Sequence, residues 1–324
     1  MSKKLKFIDL FCGLGGFRIA LEKQKCKCVF SSDIDEAVAK VYETNYGDYP
    51  SGDITKIDAK DIPDFDILCG GFPCQSFSIA GKRLGFDDAR GTMFFEVARI
   101  LKEKKPKAFM LENVKGLTNH DGGKTLQTIL DILDELGYDV IYRVINSAEY
   151  GIPQSRERWY CVGVRKDLNI NIKEKENEIF PTEQLLLYSF DDVIDDENDY
   201  NDYVISNIAK ANIEKYLFKV KDKTSKYTLA YEIRPSRCQF KSNGISPCLT
   251  AKMGTGGNNV PVVVELNRKL TEKECLKLMG YPDDYKIGKG SQAYKQIGNS
   301  VVVPILSAIA EKLVRIIKEN ETNC

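Results

Sequence analysis

The chain has 324 residues, of which 43% are apolar and 29% charged, and its formal net charge is zero. That length is too great for one small hydrophobic core, so we expect one large domain and one smaller domain. No apolar run approaches the roughly 20 residues that cross a bilayer, and the short apolar N-terminal stretch leads into a glycine-rich turn, so we predict no membrane span, no signal peptide and a cytoplasmic location.

The first half of the chain alternates short β-rich runs with amphipathic helical stretches. Strands are predicted at "KFIDLF", "CVFSSD", "FDILCGG", "AFMLEN", "YDVIYRVIN" and "RWYCVGV". Helices are predicted between them at "GFRIALEKQ", "DEAVAKVYETN", "TMFFEVARILKEKK" and "KTLQTILDILDELG". This alternation is typical of an α/β fold with a doubly wound, Rossmann-like sheet.

From about residue 180 to 290 the helical and strand periodicity is lost. Residues 190–202 carry seven acidic side chains and no basic one, whereas residues 203–260 carry ten Lys or Arg against three acids. The zero net charge therefore conceals a basic segment of the kind that contacts nucleic acid. We expect a smaller, irregular second domain here, followed by a C-terminal amphipathic helix with Pro304 near its first turn.

Glycines at 13 and 15 lie on the predicted turn between the first strand and the first helix. The third glycine of a dinucleotide fingerprint falls at Arg18, which weakens a pyrophosphate interpretation. Asp33 follows the second strand, where a carboxylate can bind ribose hydroxyls, and Asp53 follows at the predicted end of a third strand. The pattern favours an adenosyl compound, and the alternative is a purely structural turn.

The ten cysteines are scattered without a CxxC pair, and His120 is the only histidine. We therefore expect reduced thiols and no metal site. Cys74, in "GGFPCQSFS", follows a predicted strand at the edge of the sheet that binds ligands in open α/β folds. The loop that follows resembles a lid able to close over an anion; it contains Gly81, Gly85, Gly91, Lys82, Arg83 and Arg90.

Three more polar side chains are predicted near the same edge. Glu112 ends the apolar strand "FMLENV", where a carboxyl group is unfavourable unless it is paired or functional. Arg156 and Arg158 are two residues apart at the entry to a strand, so both guanidinium groups should project to one face. A thiol, a carboxyl group and two arginines could hold a flat heterocycle, although an isolated Pro-Cys pair is usually structural.

Six sequence blocks, in order, resemble the DNA (cytosine-5)-methyltransferases, especially the compact bacterial modification enzymes. They are "FIDLFCGLGGFRIAL", "GGFPCQSFSIAGKRLGFDDARGTMFFE", "LENVKG", "YGIPQSRERWY", "RKLTEKECLKLMGYPDDY" and "QAYKQIGNSVVVP". The resemblance implies a catalytic domain of residues 1–178 plus 292–324 and a target-recognition domain of residues 179–291, with DNA between them. It implies S-adenosylmethionine as cofactor and S-adenosylhomocysteine as product.

The resemblance also assigns the site residues. The implied cofactor contacts are Phe11, Gly13, Gly15, Asp33, Ile34, Asp53, Ile54, Pro73, Met93 and Asn299. Cys74 is the nucleophile that adds to C6 of an extruded cytosine, Glu112 bonds N3, Arg158 holds O2, and Arg156 orients the loop and stabilises the thiolate. The expected DNA contacts are Gln75, Lys82, Arg83, Arg90, Arg234, Arg237 and Gln239; the last three could read base edges or only touch phosphates.

Two positions depart from the family pattern. Ile34 stands where an aromatic residue often packs on adenine, and Ala80 stands where relatives have a polar side chain that fills the gap left by the extruded base. Gln75 or a side chain of the small domain would then fill that gap.

Three alternative functions fit these residues less well. A tRNA cytosine methyltransferase would carry a CFT tripeptide, which is absent here. A nicotinamide-dependent oxidoreductase would explain the glycine turn and Asp33 but not Cys74 with Glu112. A non-catalytic DNA-binding module would not need those side chains. We expect a monomer that binds double-stranded DNA, with a restriction endonuclease as a functional but unbound counterpart; the sequence does not identify the target site.

Overall fold

The computed structural model describes residues 4–73, 93–195, 200–256 and 259–323. The chain forms two compact units. The first comprises Met1–Ile145, Glu157–Thr182 and Val303–Cys324, and the second comprises Asn146–Arg156 and Glu183–Val302. The assignment of catalysis to one part of the chain and target recognition to another stays a prediction.

The first unit is the predicted α/β layer structure. Its strands are β1 (Lys6–Leu10), β2 (Lys27–Ser32), β3 (Ile67–Gly71), β4 (Ala108–Val114), β5 (Tyr138–Asn146) and β6 (Glu157–Arg165). Its helices are α1 (Gly16–Lys23), α2 (Glu36–Tyr46), α3 (Met93–Lys104), α4 (Lys124–Glu135), α5 (Glu176–Ile179) and, at the C-terminus, α9 (Val303–Asn323).

These six strands form one sheet in the order β2-β1-β3-β4-β6-β5. The pairs β1–β2, β1–β3 and β3–β4 are parallel, and β6 runs antiparallel to β4. Because the chain leaves β1 toward β2 on one side and returns to β3 on the other, the strand order reverses beside β1. Ligands of open α/β sheets bind at the carboxyl ends of strands at such a reversal. The predicted fold class is confirmed.

The burial pattern explains why these segments form central strands. In β1 every residue after Lys6 is buried, as expected for a parallel strand covered on both faces. The main core of this unit joins the sheet to α3 and α4; Phe94, Ile129 and Leu68 are fully buried within it. Helix α9 packs against α1, and Pro304 lies in its first turn as predicted. Within the described residues, no helix is long and apolar enough to span a membrane.

The second unit has a small antiparallel sheet and short helices. Its strands are β7 (Leu229–Arg234), β8 (Arg237–Lys241), β9 (Val262–Val263) and β10 (Arg268–Lys269), and its helices are α6 (Asn207–Tyr216), α7 (Glu272–Leu278) and α8 (Ser291–Asn299). The strand order is β10-β9-β7-β8. A buried ion pair joins Arg268 and Glu274, with Nη2 and Oε1 2.7 Å apart. The loss of periodicity in the sequence of this region corresponds to its short helices and strands.

Candidate functional site

The glycine turn follows β1 at the carboxyl edge of the sheet. Phe11, Gly13 and Gly15 all have positive φ, at 53°, 53° and 74°. The Cys12 amide donates to the Ser32 carbonyl oxygen at 3.0 Å, which joins this turn to the end of β2. At Gly15 the conformation and the packing both require glycine, because an added Cβ would lie 2.5 Å from the Tyr46 ring.

Asp33 lies at the end of β2 and faces this turn. One carboxylate oxygen accepts a hydrogen bond from the Gly13 amide at 2.9 Å, and the other accepts from the Asp35 amide at 3.0 Å. Burial raises the pKa of the Asp33 carboxyl group, and the two amide hydrogen bonds oppose this effect. A carboxylate has about four lone-pair sites, so Asp33 retains acceptor capacity for ligand hydroxyls.

The predicted adenine contacts differ in what they can offer. Ile34 is 74% exposed and presents an apolar surface beside Asp33, whereas Ile54 is buried in the core and can offer only its backbone. Asp53 accepts hydrogen bonds from the Thr55 side chain and amide, which lower the pKa of its carboxyl group. Arg99 donates to the Ile54 carbonyl oxygen at 3.0 Å and pairs with Glu96 at 2.6 Å, so α3 braces this turn.

Pro73 and Met93 are the described residues on either side of residues 74–92, which include Cys74. Pro73 is exposed, and Met93, the first residue of α3, packs partly buried against the core. Just before Pro73, the Phe72 carbonyl oxygen accepts a hydrogen bond from the Asn113 side-chain amide at 2.9 Å. Asn113 is only 2% exposed. The backbone that leads to Cys74 is therefore held by β4.

Glu112 and Arg158 form an ion pair, with Oε1 and Nε 3.2 Å apart. The strand register explains it. Glu112 lies opposite Tyr160 in the β4–β6 pair, and Arg158 is two residues along β6 on the same face. Glu112 also lies beside Gly71 of β3, which contributes no side chain at this row. A carboxyl group that is 7% exposed and a guanidinium group thus meet at the sheet edge.

Arg156 precedes β6 rather than opening it, and it belongs to the second unit. Its buried guanidinium group donates to the carbonyl oxygens of Leu249 and Ser300 at 2.5 Å and of Gly298 at 3.3 Å. The sequence predicts that both arginines project to one face of a strand. In the structure the two arginines have different partners: Arg158 contacts the side chain of Glu112, and Arg156 contacts backbone carbonyls of its own unit.

Asn299 is the last residue of α8 and is exposed. The preceding glycine allows α8 to lie against the backbone of residues 250–251: a Cβ at Gly298 would come within 2.1 Å of the Thr250 carbonyl carbon. Arg156 contacts the carbonyls on both sides of Asn299, those of Gly298 and Ser300. These contacts fix the backbone position of Asn299 within the second unit.

The predicted recognition side chains lie on the β7–β8 hairpin. Arg234 donates to the Asn259 side-chain oxygen at 2.5 Å, and Arg237 lies 3.4 Å from Glu232, with its side chain 58% exposed. Gln239 is exposed on β8. The hairpin contains a bulge between Tyr231 and Arg234, where Glu232 has a φ of 51°. Because a bulge increases strand twist, it re-aims the side chains near the turn.

Five of the predicted site residues lie outside the described residues. These are Cys74, Gln75, Lys82, Arg83 and Arg90, and Ala80 lies there too.

Sequence patterns missed several side chains that support the turns. Asn113, Arg99 and Tyr46 contact the backbone of loops that carry predicted site residues. A buried polar residue within an apolar strand, such as the asparagine in "FMLENV", was the available signal for Asn113. Tyr46 and Arg99 lie on helices with ordinary amphipathic patterns, and nothing in their spacing indicates these contacts.

Comparisons with known proteins identify the family of this chain. The C-5 cytosine-specific DNA methylase family model matches residues 5–315. The chain is 43% identical over 312 residues to the Type II methyltransferase M.HhaI of Haemophilus parahaemolyticus, covering 94% of this chain and 93% of that protein. It is 42% identical over 326 residues to M1.ScrFI of Lactococcus lactis subsp. cremoris, covering 99% and 80%.

The solved structure of the Entamoeba histolytica methyltransferase EhMeth superposes with a TM-score of 0.71 at 20% identity, covering 98% of this chain and 99% of that one. At that identity the likeness shows the fold alone, whereas the family match and the closer relatives show the activity. The predicted fold, family and activity are confirmed: the chain belongs to the C-5 cytosine-specific DNA methylases and is a DNA cytosine methyltransferase that acts with S-adenosylmethionine.

Proposed function

We propose that the chain methylates one cytosine of a specific duplex DNA site through a covalent adduct with Cys74. The observation that carries this proposal is the Glu112–Arg158 pair at the edge of the sheet. Glu112 lies beside Gly71, and only Phe72 and Pro73 separate Gly71 from Cys74 in the chain. A carboxyl group and a guanidinium group at this point can bind the N3 and O2 edge of a cytosine.

The residues at the carboxyl ends of β1 and β2 suit S-adenosylmethionine. Asp33 retains acceptor capacity for ribose hydroxyls, and the exposed Ile34 offers an apolar surface to adenine. The Asp53 carboxylate, whose pKa is lowered by its hydrogen bonds from Thr55, can accept a hydrogen bond from the adenine amino group. When bound, the cofactor supplies a methyl group activated by its sulfonium. We propose Phe11, Gly13, Gly15, Pro73, Met93 and Asn299 as the remaining contacts.

Cytosine C5 is a weak nucleophile until a group adds at C6. The Cys74 thiolate forms a bond to C6, and the electron pair of the C5–C6 double bond moves so that C5 becomes nucleophilic. Glu112 holds a proton at N3, which limits the negative charge that builds on the ring, and Arg158 binds O2. C5 then takes the methyl group, a base or water removes the C5 proton, and the C6–S bond breaks to release Cys74.

Cytosine C6 is inaccessible inside a stacked duplex, so the base must leave the helix at a cost of about a few kcal/mol. We propose that Lys82, Arg83 and Arg90 contribute phosphate contacts and that Gln75 fills the vacated space. The β7–β8 hairpin, with Arg234, Arg237 and Gln239, would contact the target sequence. Arg156 acts as a positioning residue through its carbonyl contacts.

The Type II relatives support a modification enzyme of a restriction–modification system. We propose that the chain works as a monomer in the bacterial cytoplasm, without a metal ion. A restriction endonuclease with the same target would be paired with it in function and not bound to it.

Replacement of Cys74 by serine tests the covalent route. We expect Cys74→Ser to lower single-turnover methyl transfer to duplex DNA by at least about 1,000-fold, because the hydroxyl group is a far weaker nucleophile than a thiolate. Binding of S-adenosylhomocysteine should stay within about twofold of wild type. Transfer near the wild-type rate by this variant would refute the covalent route.

A second readout does not depend on rate. Duplex DNA with 5-fluorocytosine at the target should form a complex with the wild-type chain that survives denaturation, because fluorine at C5 cannot leave as a proton. The Cys74→Ser variant is the matched control and should form none. Parallel assays on transfer RNA should show no methylation; preferential methylation of RNA would contradict the assigned substrate.

A further inference from the structure

A cluster of side chains from α1, α2 and the residues just after α2 contacts the glycine turn of the first unit. We call it the tyrosine bracket; it consists of Arg18, Tyr42, Tyr46 and Asp48. The rings of Tyr42 and Tyr46 have centroids 4.5 Å apart. The guanidinium carbon of Arg18 lies 4.6 Å from the Tyr46 ring centroid and 5.4 Å from that of Tyr42, within the range of cation–π contacts.

Tyr46 contacts the backbone of the turn directly. Its hydroxyl oxygen lies 3.1 Å from the carbonyl oxygens of both Leu14 and Gly15, so its proton is shared between two acceptors. The same ring occupies the space that a Cβ at Gly15 would need. Because the C=O and N–H of one peptide group point in opposite directions, fixing these two carbonyls also fixes the direction of the amides that follow them.

Arg18 holds the bracket together from the position where a dinucleotide fingerprint has its third glycine. It is 7% exposed, its Nη2 lies 2.7 Å from Asp48, and its Nε lies 2.8 Å from Glu22. A planar guanidinium group can stack on a ring while both edges donate hydrogen bonds, which an ammonium group cannot do. The residue that replaces the third glycine of the fingerprint, Arg18, therefore makes specific contacts that glycine could not make.

We infer that Tyr46, supported by Arg18, is a positioning residue for the cofactor turn, a role that rests on the proposed cofactor site. The turn has positive φ at Phe11, Gly13 and Gly15, and its two glycines give its backbone wide conformational freedom. Hydrogen bonds made by the Cys12, Gly13 and Gly15 amides already restrain it, and the Tyr46 hydroxyl group adds a restraint on the Leu14 and Gly15 carbonyl oxygens. Tyr46 thereby tunes cofactor affinity.

The first experiment measures S-adenosylhomocysteine binding by calorimetry. Tyr46→Phe removes the shared hydrogen bond and keeps the ring, so we expect affinity about fivefold weaker, the loss typical of one hydrogen bond. The matched control is Tyr49→Phe, since Tyr49 lies on the same segment and is 51% exposed; its affinity should equal that of wild type. DNA affinity without cofactor should be unchanged in both variants, which a general loss of structure would not allow.

The second experiment is a double-mutant cycle on Gly15 and Tyr46. We expect Gly15→Ala to weaken binding by about 100-fold, through strain at positive φ and the clash with the ring, and Tyr46→Ala to weaken it by about tenfold. The double variant should bind no more weakly than Gly15→Ala alone, because removing the ring removes the clash. Losses that multiply to about 1,000-fold would show that Tyr46 does not act through Gly15 and would overturn the inference.

The outcomes separate this inference from the proposed function. Absence of S-adenosylhomocysteine binding in the wild-type chain would overturn the cofactor site itself. Wild-type binding with equal affinity in Tyr46→Phe would overturn only the role of the bracket.

Discussion

The carboxyl edge of the sheet in the first unit and the β7–β8 hairpin of the second unit both carry side chains to which we assign functions, but the two regions fix those side chains in different ways. At the sheet edge, Glu112 is 7% exposed and meets Arg158 through the register of two buried strands. On the hairpin, the Arg237 side chain is 58% exposed and its partner, Glu232, belongs to the same hairpin. The sheet fixes Glu112 and Arg158 through the packing and register of buried strands, whereas the hairpin fixes Arg237 through a contact within the hairpin.

This difference suggests which parts of the molecule can vary. A change at Glu112 disturbs a buried ion pair whose geometry depends on strand register, and under the proposed mechanism it should reduce methyl transfer directly. A change at Arg237 removes a surface pair worth little to stability, since such pairs contribute about 0–1 kcal/mol. If the hairpin reads the target site, as we propose, substitutions there should alter recognition and leave Glu112, Arg158 and the fold unchanged.

The largest effect is expected at Glu112. Glu112→Gln keeps a hydrogen-bonding group of similar size but cannot provide a proton at N3, so single-turnover methylation should fall by about 1,000-fold, within the range of general acid catalysis. The matched control is Glu157→Gln, since Glu157 is an exposed neighbour paired with Lys115 at 2.7 Å; its rate should stay within about twofold. Similar methylation rates for the two variants would contradict the proposed catalytic role of Glu112.

A smaller effect, on stability, is expected at Arg156. Arg156→Ala leaves the carbonyl oxygens of Leu249 and Ser300 without their charged donor, so the free energy of unfolding should fall by about 3 kcal/mol. Urea denaturation measures this change. Arg158→Ala is the comparison: it removes one partner of a buried ion pair, so it should also lower stability, but it should slow methylation more than Arg156→Ala does. Equal rates of methylation in the two variants would contradict the separate roles of the two arginines.

The smallest effect is expected on the hairpin. Arg237→Ala should change the free energy of unfolding by less than about 0.5 kcal/mol. If Arg237 contacts phosphate, DNA affinity should weaken severalfold and the salt dependence of binding should decrease by about one charge. Glu232→Gln, which frees Arg237 without removing it, should not weaken binding. A large loss of stability in Arg237→Ala would show that the hairpin is held by more than local contacts.

Local sequence signals predicted the fold and part of the site well. The alternation of apolar runs with amphipathic stretches indicated β1 to β6, and the glycine turn followed by Asp33 was recognisable because backbone freedom and a carboxylate are both local requirements. Arg156 was harder. Its i and i+2 relation to Arg158 implied a shared face, but the strand begins only at Glu157, and strand boundaries depend on pairing with distant segments.

The sequence by itself determined the order of secondary structure, the family, and the residue types available for chemistry, because periodicity, turn residues and short motifs are properties of neighbouring positions. Only the tertiary structure decided that Glu112 meets Arg158, that Asn113 holds the backbone before Pro73, and that Tyr46 contacts the glycine turn after β1. Those contacts join residues between 31 and 46 positions apart, and strand register and helix packing rather than local sequence bring them together.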